Sequence, residues 1–174
     1  MLIKLQSDNK FFLEKIDYLF KQKNIISTPD NVTFITLSFE IYENDVKLKI
    51  KDKFIRFSLP INFGSLFIKI NKEIIDTYTE FGEYNFYPFQ RSILGFKNKS
   101  LLSDIQNQIL TVLIINKKGI NKKLLYKSIW PKDKDISINK LDTHLTNLKN
   151  QIKEDLCMNI NFFSHDKILK LILN

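Results

Sequence analysis

Apolar residues keep their most regular helical rhythm near the C-terminus, where Ile138, Leu141, Leu145, Leu148 and Ile152 step by 3, 4, 3 and 4. That spacing is one stripe of an amphipathic helix, and Ser137 just before it is suited to cap the N-terminus. A second stripe, Phe63, Phe67, Ile70 and Ile74, steps by 4, 3 and 4 after Pro60 and predicts a helix over 63–75. Two further helices are expected between these. One is capped by Ser103 and turns Ile105, Ile109, Val112 and Leu113 inward as far as Asn116; the other is shorter, capped by Asn121, carries Leu124, Leu125 and Ile129, and ends at Trp130-Pro131.

Strand patterns occupy the rest. Residues 2–5 read as a strand, followed by a helix capped by Asp8 or Asn9 with Phe12, Ile16, Leu19 and Phe20 on one face. After a turn at Pro29-Asp30-Asn31, residues 32–39 are β-branched and aromatic enough for a second strand. Val46, Leu48 and Ile50, then Phe54, Ile55 and Phe57, form a hairpin around Lys51-Asp52-Lys53. Residues 81–91 and 93–97, interrupted by Pro88 and Gly95, suggest a small antiparallel sheet, and 159–163 with 168–173 flank Ser164-His-Asp-Lys167 as a terminal strand-turn-strand. The first part is therefore α/β, and the second runs sheet, three helices, hairpin. Thirteen of the fifteen phenylalanines lie at or before Phe96, so the two parts differ in texture; Asp76-Thr-Tyr-Thr-Glu80 is the expected junction, giving domains 1–79 and 80–174.

Charge sharpens this division. The net charge is +8, with twelve basic and ten acidic residues at or before Thr79 and fifteen and nine after it. A surplus of that sign favours polyanions, nucleic acid first. Only Arg56 and Arg91 are arginines and there is no alanine; since Lys, Asn, Ile and Phe have A/T-rich codons, the lysine bias reflects an AT-rich genome before it reflects function. No apolar run approaches the ~20 residues of a membrane span, and the opening residues lack a signal peptide's apolar core. Cys157 is the only cysteine, which suits a reducing compartment and leaves no internal disulfide. A cytoplasmic, bacterial protein is expected.

Candidate chemistry is sparse. With the stripe of the 137–152 helix buried, Lys140, Thr143, Asn147 and Asn150 fall on the opposite face, with Asn139 and Thr146 at its edge. Short amides and hydroxyls there can hydrogen-bond base edges in a major groove while marginal lysines meet phosphates; the alternative is a merely solvated helix face. His144, His165 and Cys157 show no ligand spacing, Asp8 and Asp142 are isolated carboxylates, and there is no glycine-rich phosphate loop or nucleophile elbow among 4 glycines. No enzyme, metal or cofactor is expected. Lys117, Lys118, Lys122 and Lys123 form either a phosphate-binding patch or a solvated turn.

Over 80–174 the order and several motifs resemble the winged helix-turn-helix effector domain of OmpR/PhoB-type response regulators. Leu102-Ser-Asp-Ile-Gln resembles that family's Leu-Thr-x-x-Glu helix start, and Lys123-Leu-Leu-Tyr-Lys-Ser-Ile-Trp130 its second helix. In Asn139-Lys-Leu-Asp-Thr-His-Leu-Thr-Asn-Leu-Lys149, Asp142 and His144 occupy the recognition helix's Asp-x-His positions. The family's arginines here are replaced by Asn139, Asn147 and Lys149, and the wing lacks its Gly-Tyr. The resemblance implies an α+β winged helix on double-stranded DNA. Its contacts would come from Trp130, Asn139, Lys140, Asp142, Thr143, His144, Thr146, Asn147, Lys149 and Asn150, with Lys167 in the wing turn. It also implies polymerase contact through the loop of residues 130–137. The expected activity is sequence-specific transcriptional regulation; an adaptor on RNA polymerase or a non-specific architectural DNA binder is the alternative.

Residues 1–79 look like a shortened, degenerate receiver domain. Ile3-Lys-Leu-Gln-Ser-Asp-Asn9 resembles its first strand, and residues 54–63 with the following helix its last. Ser7 and Asp8 replace the paired carboxylates, Leu59 stands where the lysine before the proline belongs, and there is no acceptor aspartate. Phosphotransfer is therefore expected to be lost. The stripe Phe63, Phe67, Ile70 and Ile74, widened by Leu66 and Ile75, is expected to form a homodimer, as the last receiver helix does in that family.

Overall fold

A computed structural model describes residues 3–22 and 34–173. The chain divides after Asp76 into two compact units, Met1–Asp76 and Thr77–Asn174. The expected turn at Pro29-Asp30-Asn31, the start of the strand at Val32 and Leu2 lie outside the described residues. Among the described residues, no helix is long and apolar enough to cross a membrane.

The first unit runs β1 (Ile3–Ser7), α1 (Lys10–Gln22), β2 (Ile35–Ile41), β3 (Asp45–Ile50), β4 (Lys53–Ser58) and α2 (Phe63–Ile75). Asn9 caps α1 by accepting from the Phe12 N–H at 2.9 Å, and Asn62 caps α2 through the Ser65 N–H at 3.0 Å. The strands form one sheet in the order β1-β2-β3-β4, with β1 and β2 parallel and the other pairs antiparallel. Strict alternation gives the sheet two unlike faces: Ile35, Leu37, Phe39, Val46, Leu48 and Ile50 are buried, while Thr36, Ser38, Lys47 and Lys49 between them are not.

Both helices contribute to the apolar core. The Phe12 ring lies 5.2 Å from Phe39 and 5.7 Å from Phe63, and Phe20 lies 5.4 Å from Phe67. Leu66, Ile70 and Ile74 are 0% exposed. Of the expected dimer face, Leu66, Ile70 and Ile74 are thus buried in the chain's own core, whereas Phe63 and Phe67 are only partly covered.

The receiver-like layout is corrected. A receiver sheet is doubly wound and parallel, in the order 2-1-3-4-5, whereas among the described residues β1 and β2 are the one parallel pair. The segment likened to a receiver's last strand is instead the second arm of the 45–58 hairpin, whose turn includes Lys51 at φ +51°. A two-residue turn can join only antiparallel neighbours.

The second unit opens with a four-stranded antiparallel sheet, β5 (Thr79–Phe81), β6 (Tyr84–Tyr87), β7 (Ser92–Leu94) and β8 (Lys99–Leu101), in sequence order. The expected single segment 81–91 is broken after Phe81 by a turn in which Gly82 has φ +63°, a conformation glycine adopts without steric cost. Then follow α3 (Asp104–Ile115), the short β9 (Ile120–Asn121), α4 (Lys122–Ile129), α5 (Ile138–Leu156), β10 (Ile160–His165) and β11 (Ile168–Leu173). β11 pairs with both β10 and β9, closing a three-stranded sheet against the helices.

Local chemistry explains the helix boundaries. Ser103 and Gln106 form a reciprocal capping box at α3, and Asn121 caps α4 by accepting from the Lys123 N–H at 2.9 Å. Ser137 caps α5 through the Lys140 N–H at 3.4 Å, and Cys157 ends it in the left-handed region at φ 55°. The core is built from Ile109, Leu110, Val112 and Leu113 of α3, Leu125 and Tyr126 of α4, and the α5 stripe. Leu124, expected to line the core of α4, is instead 65% exposed, while Tyr126 is buried.

Candidate nucleic-acid interface

The geometry of α5 decides what the second unit can present. Leu141, Leu145, Leu148 and Ile152 are buried, as is Leu156 one turn beyond the predicted stripe. Asn139, Thr143, Thr146, Asn147 and Asn150 are all exposed along the other side. Thr143 and Thr146 donate their hydroxyl protons back to the carbonyls of Asn139 and Asp142, each at 2.9 Å. The face is therefore shallow and polar, with no long apolar side chain to hold it off a flat or grooved partner.

The other sequence-predicted residues lie elsewhere. Trp130 ends α4 with its ring 4.7 Å from Tyr126 and 5.4 Å from His144, and His144 is half-buried. Lys140, expected on the outward face, folds back instead: its ammonium lies 4.4 Å over the Trp130 ring and 3.0 Å from the Asp133 carboxylate. Trp130, Lys140 and His144 thus form one packed elbow between α4 and α5. Lys140 and His144, both expected to contact DNA, therefore stand against the indole, with the Lys140 side chain still 40% exposed. Asp142 is ion-paired at 2.8 Å with Lys122, and Lys149 donates to the Asn161 side chain of β10 at 2.6 Å.

The α4–α5 loop is held by a centre that the sequence reading missed. Asp133 accepts from the Tyr126 hydroxyl at 2.6 Å as well as from Lys140, and the Lys127 ammonium donates to the Asp133 carbonyl at 2.5 Å. The Tyr126 and Lys140 hydrogen bonds hold the Asp133 carboxyl below its ordinary range. The same bond to Asp133, with burial, pushes the Tyr126 hydroxyl up. A tyrosine in the middle of a short helix seven residues before an aspartate was the only signal available, and nothing in its spacing distinguishes it from a core tyrosine.

The hairpin of β10 and β11 turns through Asp166 and Lys167, both at positive φ, 48° and 66°. That is a two-residue type I′ turn built without glycine, whose twist matches that of the strands it joins. Lys167 is exposed at its tip. Most of the expected residues therefore gather in two groups, an exposed α5 face flanked by the hairpin and a half-buried elbow of Trp130, Lys140 and His144 between α4 and α5, while Asp142 is held by Lys122.

No protein-family model matches the chain, and no curated protein does. Solved structures are similar in shape. The DNA-binding domain of E. coli CadC is 14% identical with a TM-score of 0.46, over 55% of this chain and 91% of that one. The C-terminal domain of the nisin resistance regulator NsrR, a lantibiotic response regulator, is 22% identical with a TM-score of 0.43, over 54% of this chain and 93% of that one. A streptococcal redox sensor, of a family described as evolved from two-component response regulators, is 12% identical with a TM-score of 0.42, over 99% of this chain and 66% of that one.

Proposed function

We propose that this chain is a DNA-binding regulator of transcription whose second unit enters the major groove of duplex DNA with α5. The observation that carries the reading is the exposed row of Asn139, Thr143, Thr146, Asn147 and Asn150 opposite a fully buried stripe. The major groove admits one α-helix, and side-chain amides are suited to bidentate contacts with adenine. Lys149 at the helix margin and Lys167 at the hairpin tip supply phosphate contacts on either side. The elbow of Trp130, Lys140 and His144 positions α5 rather than touching DNA.

Regulation on this reading is independent of phosphorylation. Ser7 and Asp8 end β1 without a carboxylate pair, and β3 and β4 make a hairpin where a receiver would place its acceptor strand. Acetyl phosphate with Mg²⁺ should leave the intact mass and the DNA affinity unchanged; a stable phosphoryl adduct would refute this part.

The central test is selection of random duplex fragments by the pure protein, followed by gel retardation of the enriched sequence at several salt concentrations. A recurrent motif and a steep fall of affinity with salt are expected. Binding without an enriched motif would indicate an architectural role. No duplex binding, with retention on RNA polymerase, would indicate an adaptor acting through the exposed residues of the α4–α5 loop.

A further inference from the structure

The first unit carries a second surface of quite different construction. Its helices pack on one side of the sheet, and the register brings Thr36 and Ser38 of β2, Lys47 and Lys49 of β3, and Phe54 and Arg56 of β4 together on the other. Ser38 pairs directly with Lys49, Lys49 with Phe54, and Lys47 with Arg56, so these side chains form contiguous cross-strand rows. Phe54 is 54% exposed, an unusual state for a large ring in a sheet whose apolar residues otherwise face the core. The Lys47 and Lys49 ammoniums lie 4.3 and 5.6 Å from its centroid. The acidic residues of this face, Glu40 and Asp45, are confined to the end where β2 leaves and β3 enters, with Glu40 3.9 Å from Lys47.

We propose that this open face binds single-stranded nucleic acid, with Phe54 as the stacking platform and Lys47, Lys49 and Arg56 as the phosphate contacts. Charge complementarity points to a polyanion, and the exposed ring narrows the choice. A duplex hides the faces of its bases in the stack and presents only their edges, in the grooves. A single strand exposes every base face to stacking, which is sequence-tolerant and combines with a basic track along the backbone. The hydroxyls of Thr36 and Ser38, beside Lys49, add hydrogen-bonding partners for sugar or base edges; Ser38 already donates to Gln6 at 3.2 Å and keeps its lone pairs. A cation over the ring marks the place a base would take, because either partner covers the same π-face.

This inference rests on the first unit alone and stands whether or not α5 reads duplex DNA. The test measures fluorescence anisotropy of the full chain with labelled oligodeoxythymidine and oligouridine strands of about 12 nucleotides, beside a duplex of arbitrary sequence and a poly-glutamate competitor. Binding of either strand at micromolar protein is expected, and the stronger of the two identifies DNA or RNA as the source. Phe54→Ala should weaken strand binding by about 5-fold or more, Phe54→Trp should restore it, and both should leave duplex affinity and the circular dichroism spectrum unchanged. Lys49→Gln and Arg56→Gln should each lower the salt slope by about 0.7. The proposal is overturned if neither strand binds, if Phe54→Ala binds as well as the wild type, or if poly-glutamate competes equally and without regard to Phe54.

Discussion

Helices α2 and α5 bury stripes of the same rhythm and turn unlike backs to solvent. The outward side of α2 carries Ile68, which is 70% exposed, among Ser65, Lys69 and Lys72. The outward side of α5 carries only amides and hydroxyls over its first three turns. The stripes say where each helix meets its own core, and they say it equally well for both. What separates a structural helix from a presenting one is the uniformity of the opposite face, together with the neighbours that hold it out. α5 has the Trp130 elbow at one end and the hairpin beside it, whereas α2 shares its core with α1 through the Phe12–Phe63 and Phe20–Phe67 contacts.

The comparison can be broken at several points. The largest effect is expected in the two stripes: Ile70→Ala and Leu148→Ala should each cost about 2–5 kcal/mol in urea unfolding, since both side chains are completely buried. If Ile70→Ala left stability intact and instead converted a dimer to a monomer in light scattering, α2 would be the presenting helix after all. Next to Leu148, Asn147→Ala should change stability by no more than about 0.5 kcal/mol. It should, however, reduce discrimination between the preferred site and a single-base variant by about 1–3 kcal/mol. A loss uniform across sequences would remove Asn147 from base reading.

Lys149→Ala should weaken every duplex alike and lower the salt slope by about 1. Because Asn161 only holds the Lys149 ammonium, Asn161→Ala should leave that slope in place; a parallel loss would mean that the pair acts as one contact. The smallest effect belongs to the loop. Asp133 is held below its ordinary value of 3.8, so its contribution is fully present above that value and is lost as pH falls through the lower folded one. Asp133→Asn should be less stable than the wild type at neutral pH, and its acid unfolding profile should be flatter. Identical acid profiles would show that the Tyr126 and Lys140 contacts contribute nothing.

Periodicity made much of this architecture legible. The limits of α2 follow from Pro60 and the four-three-four stripe, and the two late hairpin strands follow from alternation around Ser164-His-Asp-Lys167. Pairing direction was legible too, in the short turn Lys51-Asp52-Lys53, which permits only antiparallel neighbours. The likeness to a parallel receiver sheet conflicted with that turn, and the local chemistry prevailed. Side-chain direction was not legible. Lys140 lies on the outward face by helical angle, yet a long flexible stem lets its charge reach back to Trp130 and Asp133. The Lys122–Asp142 pair spans 20 residues and left no trace in local spacing. Exposure of Phe54 was equally hidden, because alternation assigns it to a face without saying whether that face is covered.

The back-bonding of Thr143 and Thr146 gives the α5 surface a polarity of its own. With both hydroxyl protons engaged by carbonyls of the preceding turn, these side chains turn lone pairs outward and have no proton left to give. Their complement in a groove is an amino group, which adenine offers at N6 and cytosine at N4, and not the doubly accepting edge of guanine. If α5 enters a groove as proposed, these two positions one turn apart act as acceptors, set by the orientation of protons rather than by the identity of charged residues.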